Sequence, residues 1–128
     1  MLPLRLAGFW AAIGWLGVGT ALVLSLWPHG VPLPFHVWDK FQHVGGYFIL
    51  TSWFLGICRR ERYGRVALAC FMLGVAIELL QALTPTRSAE LGDVFANSIG
   101  IAAALLLAWL GLGGWAARLE RLAGLVPR

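Results

Sequence analysis

Hydrophobic residues in this chain fall in four long runs, at 6–27, 41–58, 66–83 and 94–112. Each run holds 18 to 22 residues. At about 1.5 Å of rise per residue, that is enough to cross a hydrocarbon layer of about 30 Å, the shorter runs with little tilt. The first run carries no charge. The second is apolar except for Gln42 and His43 near its start, and the third except for Glu78 and Gln81 near its end. The fourth is interrupted only by Asn97 near its start. The runs are continuous, not alternating, which predicts helices and argues against a β-barrel. The expected fold is therefore all-α: an integral-membrane four-helix bundle over residues 1–113, with short loops.

Composition strengthens this reading. The chain has 128 residues, 59% hydrophobic and 12% charged, where a soluble domain is about a quarter charged. The first run is read as a retained anchor. It is too long for a signal-peptide core, and Ser25-Leu26-Trp27-Pro28 offers no small-x-small cleavage site. Cys58 and Cys70 have no spacing that suggests a disulfide or a zinc site, and Cys70 reads as a small packing residue.

The net charge of +4 changes the picture through its distribution. Four spans place both termini and the loop 59–65 on one side. That side holds Arg5, Arg59, Arg60, Arg62, Arg65, Arg118, Arg121 and Arg128, against Lys40 and Arg87 on the other. Eight against two predicts cytoplasmic termini by the positive-inside rule. It also removes nucleic acid from the expected partners, because the basic residues sit in short segments flanking the spans. The expected location is the plasma or inner membrane, multi-pass. Residues 114–128 space Trp115, Leu119 and Leu122 on one side, with Arg118 and Arg121 elsewhere, which predicts a short amphipathic tail on the inner surface. The Pro-rich segment 28–38 is expected to link two spans at the outer interface.

With that orientation, the polar residues of three spans converge on the outer layer. His43 lies about 6 Å below Asp39, Asn97 about 6 Å below Asp93, and Glu78 about 7 Å below the end of its span. Asp39, His43 and Tyr47 are spaced i, i+4, i+8 on one stripe, Asp93, Asn97, Gly100 and Ala104 share another, and Gly74, Glu78 and Gln81 a third. Gly46, Gly74, Gly100 and Ala104 would let helices approach closely. Ionisable groups at membrane depth are costly, so a functional site is the default reading.

The residue types suggest roles. Arg87 offers a fork suited to phosphate or carboxylate, and Lys40 adds a point charge at the boundary. Glu78 is placed to give or take a proton, and Asp39, one turn from His43, would orient its imidazole. Glu78, His43 and Asp39 are thus the catalytic candidates. Arg87, Lys40, Tyr47, Gln81, Asp93 and Asn97 are the candidates for binding substrate. A divalent metal on Asp39, His43, Glu78 and Asp93 is the alternative, but no metal signature such as HExxH accompanies them, so no metal and no cofactor is expected. Ser88 and Ser98 are nucleophile candidates by sequence proximity only.

Asp39-Lys40-Phe41-Gln42-His43-Val44-Gly45-Gly46-Tyr47 resembles the D-K-x-x-H-x-x-x-Y signature of VanZ-like membrane proteins. Glu78-Leu79-Leu80-Gln81, followed by Arg87, Asp93, Asn97 and Gly100, is similar to that family's second signature. The resemblance runs from about Trp10 to Leu112 and keeps motif order and spacing. It implies a small polytopic membrane protein. The family's named member is associated with resistance to the glycopeptide antibiotic teicoplanin, whose target is a lipid-linked cell-wall precursor outside the membrane.

The expected function is binding or modification of an anionic lipid headgroup or lipid-linked envelope precursor at an outward-facing polar site. The residues leave open whether a reaction is catalysed. The alternative is non-enzymatic: a small transporter or proton relay, or a structural partner of an envelope complex. A homo-oligomer or an envelope protein would be the further partner.

Overall fold

A computed structural model describes residues 1–28, 37–86 and 88–125, with Val37, Trp38 and Asp39 described by backbone alone. The segment 29–36, Arg87 and the Asp39 side chain, all invoked above, lie outside the described residues. The described chain is all-helical. It contains α1 (Ala7–Leu26), α2 (Val37–Ile57), α3 (Tyr63–Ala82), α4 (Leu91–Leu107) and α5 (Trp115–Leu122), with a single 3-10 turn at Arg60–Arg62 ahead of α3. Three stretches are long and apolar enough to cross a membrane: Ala7–Leu26, Arg60–Ala82 and Leu91–Leu112. A helix closes all its own backbone hydrogen bonds, which is what a segment in lipid requires. α2 is as long, at 21 residues, but concentrates Asp39, Lys40, Gln42 and His43 in its first two turns. It begins four residues before its apolar run because the polar residues continue the helix outward.

The helices alternate in direction. Lys40 and His43 at the start of α2 meet Asp93 and Asn97 at the start of α4, and Leu55 near the end of α2 packs with Ala104 and Ala108. α2 and α4 therefore run parallel and form the most extensive helix pair. α1 and α3 run the other way, joined where Gln81 Nε2 donates to Ser25 O at 2.7 Å. The α2–α4 contact depends on Gly100. A Cβ there would run into the backbone of α2, at Val44 O and 2.9 Å from Phe48 N. Ala104, one turn on, is buried. Gly74 faces the Asn97 and Tyr47 side chains. Gly46 departs from expectation: nothing lies within 4 Å of a Cβ built on it, so it makes no close helix contact. The core below the polar end is Tyr47, Cys70 and Ile101, then Leu55, Tyr63, Ala104 and Ala108. Cys70 is thus a packing residue, as its position suggested.

The opposite end is closed by the C-terminal segment. α4 runs into a widened turn at Ala108–Leu112, in which Gly111 takes φ 109°, a conformation that glycine adopts without strain. Gly114 N–H then donates to Leu55 O at 3.1 Å. Arg118 Nη2 donates to the carbonyls of Gly111 and Gly113, left free where the helix ends. α5 lies against α2, with the Trp115 ring where a Gly56 side chain would be. Ala116 and Glu120 are its buried residues, while Leu119 and Leu122 are exposed.

Glu120 holds this end together. Its Oε2 accepts Arg5 N–H at 2.7 Å, and its Oε1 accepts Leu6 N–H and Trp10 Nε1–H, each at 2.9 Å. The carboxylate so supplies the start of α1 with the acceptor its own residues lack, since Leu6 makes no side-chain cap. Around it, Trp115 packs edge to face on Trp10 and Trp53, which are tilted against each other, with ring centroids 5.0 to 5.8 Å apart. Trp53 Nε1 donates to Trp10 O at 2.9 Å, and Trp115 Nε1 to Ser52 O at 3.1 Å. Burial works against the Glu120 carboxylate. The two backbone N–H donors, the indole and nearby Arg5 outweigh it and hold its pKa below the usual range.

Candidate functional site

At the other end, α2, α3 and α4 bring their polar residues into one cluster. Asp93 lies in the first turn of α4, where the helix dipole favours a carboxylate. It is buried, with 4% of its surface exposed. Lys40 Nζ reaches across from α2 to bind Asp93 Oδ1, and binds Glu90 Oε2 at 2.8 Å. His43, one turn further along α2, has two partners on α4. Its Nε2 is 3.3 Å from Asp93 Oδ2, and its Nδ1 is 3.0 Å from Asn97 Oδ1. Asn97 is itself 2% exposed.

Glu78 enters from α3. Its Oε2 accepts the N–H of Glu90, the residue before α4, at 3.0 Å. That bond ties the end of α3 to the start of α4 and fixes the direction of the carboxylate. Its other oxygen, Oε1, is buried and has no hydrogen-bond partner. Tyr47 on α2 is 6% exposed, and its hydroxyl is also without a partner. Buried polar atoms are normally paired, because an unpaired one costs about 1–3 kcal/mol. Glu78 Oε1 and the Tyr47 hydroxyl share this condition with Thr51 Oγ1 and Gln81 Oε1 among the described residues.

Among the candidates drawn from the sequence, Lys40, His43, Asp93 and Asn97 are linked directly, and Glu78 lies beside them, bonded to the Glu90 N–H. Tyr47 adjoins them across Gly74, whose ideal Cβ would sit 3.1 Å from Asn97 Nδ2 and 3.4 Å from the Tyr47 hydroxyl. Gln81 is committed to α1 through Ser25 O, with its Oε1 unpartnered. Asp39 lies in the first turn of α2, and Arg87 is outside the described residues. Ser98 bonds its own helix at Val94 O and Ser88 is exposed, so neither is placed as a nucleophile of this cluster. For metal chemistry, one group stands out among the described residues. His43, Glu78 and Asp93 each offer a ligand atom, and these atoms all lie within 4.8 Å of one another.

The Glu120 site was missed by the sequence reading. The signal available was a lone acid on an otherwise basic tail, one turn from Ala116, on the side away from the exposed leucines. Its partners are backbone N–H groups more than a hundred residues away, which no spacing rule connects.

Three apolar helices of spanning length, with carboxylates, an imidazole and an amine gathered at one end, mark a small helical membrane protein. Residues 10–112 match the family model of VanZ/LLP1, and the chain belongs to that family. No curated protein and no solved structure matches the chain.

Proposed function

We propose that this VanZ-family protein binds an anionic lipid headgroup or lipid-linked envelope precursor at the outer face of the cell membrane, and that the same site carries proton chemistry on it. The observation that carries the reading is the cluster itself, with Glu78 and Asp93 buried in it. Lys40, His43, Glu78 and Asp93 meet at one helix end, with Glu78 Oε1 and the Tyr47 hydroxyl unpartnered. In this reading α2 is a fourth span, both termini are cytoplasmic, and the cluster lies at the outer end where Lys40 and Arg87 are the only Lys or Arg residues. Lys40 and Arg87 hold phosphate, Lys40 exchanging a carboxylate partner for it. Glu78, with His43 and Asp39, handles the proton, and Tyr47, Gln81, Asp93 and Asn97 position the headgroup.

A transport path would need polar groups continuing to the other end. Between the cluster and the Glu120 end, the described core is Leu50, Leu55, Ile101, Ala104 and Ala108, where the buried polar atoms are confined to Thr51, Cys70 and Tyr63. That favours a site over a path.

The test is mass spectrometry of lipid extracted from the purified protein. A phosphate-bearing lipid or precursor is expected with wild type and should disappear with Arg87→Ala and Lys40→Ala proteins that fold normally. Its absence from wild type, or retention by both variants, counts against the reading. Reporter fusions near Arg60 and at the C-terminus check the side. Either one outside the cell overturns the outward-facing site.

A further inference from the structure

We propose that His43, Glu78 and Asp93 form a divalent-cation site, taking an ion of the Zn2+ or Mn2+ class between α2, α3 and α4. Three side chains of the right kind converge, with all ligand atoms within 4.8 Å of one another. The 3.3 Å between His43 Nε2 and Asp93 Oδ2 is close to the edge of about 3.4 Å expected between two ligands of a tetrahedral ion with bonds of about 2.1 Å. Glu78 needs only its free oxygen, because Oε2 is already oriented by the Glu90 N–H.

Two independent features point to a ligand. The first is Glu78 Oε1, on a residue 5% exposed, which has no hydrogen-bond partner. The second is the histidine, whose Nδ1 lies 3.0 Å from Asn97 Oδ1 and whose Nε2 faces Asp93 Oδ2, so that either a proton on Nε2 or a cation between the two joins them. A metal-bound histidine fixed through its other nitrogen by a side-chain or backbone oxygen is the usual outer-shell arrangement. Lys40 does not fill the position, since it takes Asp93 Oδ1 and Glu90 and leaves Oδ2 to His43.

One imidazole and two carboxylates suit a borderline transition ion better than Mg2+ or Ca2+, which favour all-oxygen shells. The remaining coordination positions would be open to water or to a ligand oxygen. Two buried carboxylates would otherwise repel a phosphate, and a bound dication reverses the local sign. That last use rests on the headgroup reading, whereas the cation site rests on its own geometry.

The experiment uses untagged full-length protein in detergent, stripped with chelator and dialysed against Zn2+ or Mn2+ with no lipid added. Elemental analysis should find about one ion per chain, and the melting temperature should rise on loading. Both effects should vanish in His43→Ala and Glu78→Gln and persist in Cys58→Ser. Asn97→Ala should weaken affinity by about 10- to 100-fold, as loss of an outer-shell partner does. If His43→Ala fails to fold, Glu78→Gln and Asp93→Asn decide. No ion above background in folded wild type, or equal loading of wild type and Glu78→Gln, overturns the proposal. Because ion loading is read by elemental analysis and lipid retention by mass spectrometry of the extract, either result leaves the lipid-retention test to stand or fall separately.

Discussion

Glu78 and Glu120 are both buried carboxylates in a chain with six acidic residues, and they have opposite surroundings. Glu120 is saturated, with Oε1 and Oε2 accepting three N–H donors from α1 and the turn before it. Glu78 has one oxygen bound by a backbone N–H and the other bound by nothing. Burial alone therefore does not distinguish the two acids; their hydrogen-bonding does, one carboxylate being filled by donors and the other left with a free oxygen. At the Glu120 end, the donors and acceptors close on themselves and on the three tryptophans. At the Glu78 end, they leave one carboxylate oxygen and the Tyr47 hydroxyl without a partner.

The comparison predicts an ordered set of stability effects. The largest belongs to Glu120→Ala, which strands Arg5 N–H, Leu6 N–H and the Trp10 indole together. A clear fall in detergent melting temperature is expected, with faster proteolysis of residues 113–125, and no change in what the other end binds. An unchanged melting temperature would show that the α1–α5 closure is incidental.

Next comes the pH dependence of that closure. The folded Glu120 carboxyl is held below the usual range, so its contribution is complete above the unfolded value of about 4.3 and is lost as pH falls through the folded value. The stability gap between wild type and Glu120→Gln should narrow on acidification below about pH 4. A gap that widens there would contradict the assignment.

Trp53→Phe removes one hydrogen bond, to Trp10 O, and keeps most of the ring packing. A loss of about 1 kcal/mol is expected in denaturant titration. Glu78→Gln should have the smallest effect, less than about 1 kcal/mol in either direction, since it removes a poorly compensated charge while keeping the side chain's shape. A large destabilisation there would make Glu78 a structural acid like Glu120 and dissolve the contrast.

Much of the polar end was legible in the sequence, because helical periodicity decides which residues share a face. The spacings of His43 with Tyr47, of Asp93 with Asn97 and of Glu78 with Gln81 all placed residues on buried faces. Periodicity does not decide how one helix is rotated against the next. Asp39, the expected partner of His43, has its side chain outside the described residues, and the partners described for His43 are Asp93 and Asn97 on α4. Gln81 shares the Glu78 face closely enough to suggest one site, yet binds α1. Gly46 looked like a contact glycine and faces open space, whereas Gly100 carries the close approach. The Glu120 closure was not legible, because its donors are main-chain groups without a side-chain signature.

The most direct test of the central claim is a side-by-side lipid extraction from wild type, Glu78→Gln and Glu120→Gln, purified identically. The account predicts a phosphate-bearing headgroup lipid or precursor with wild type and Glu120→Gln, and its loss with Glu78→Gln despite an unchanged melting temperature. Equal retention by all three proteins, or loss that follows Glu120 instead of Glu78, would contradict it.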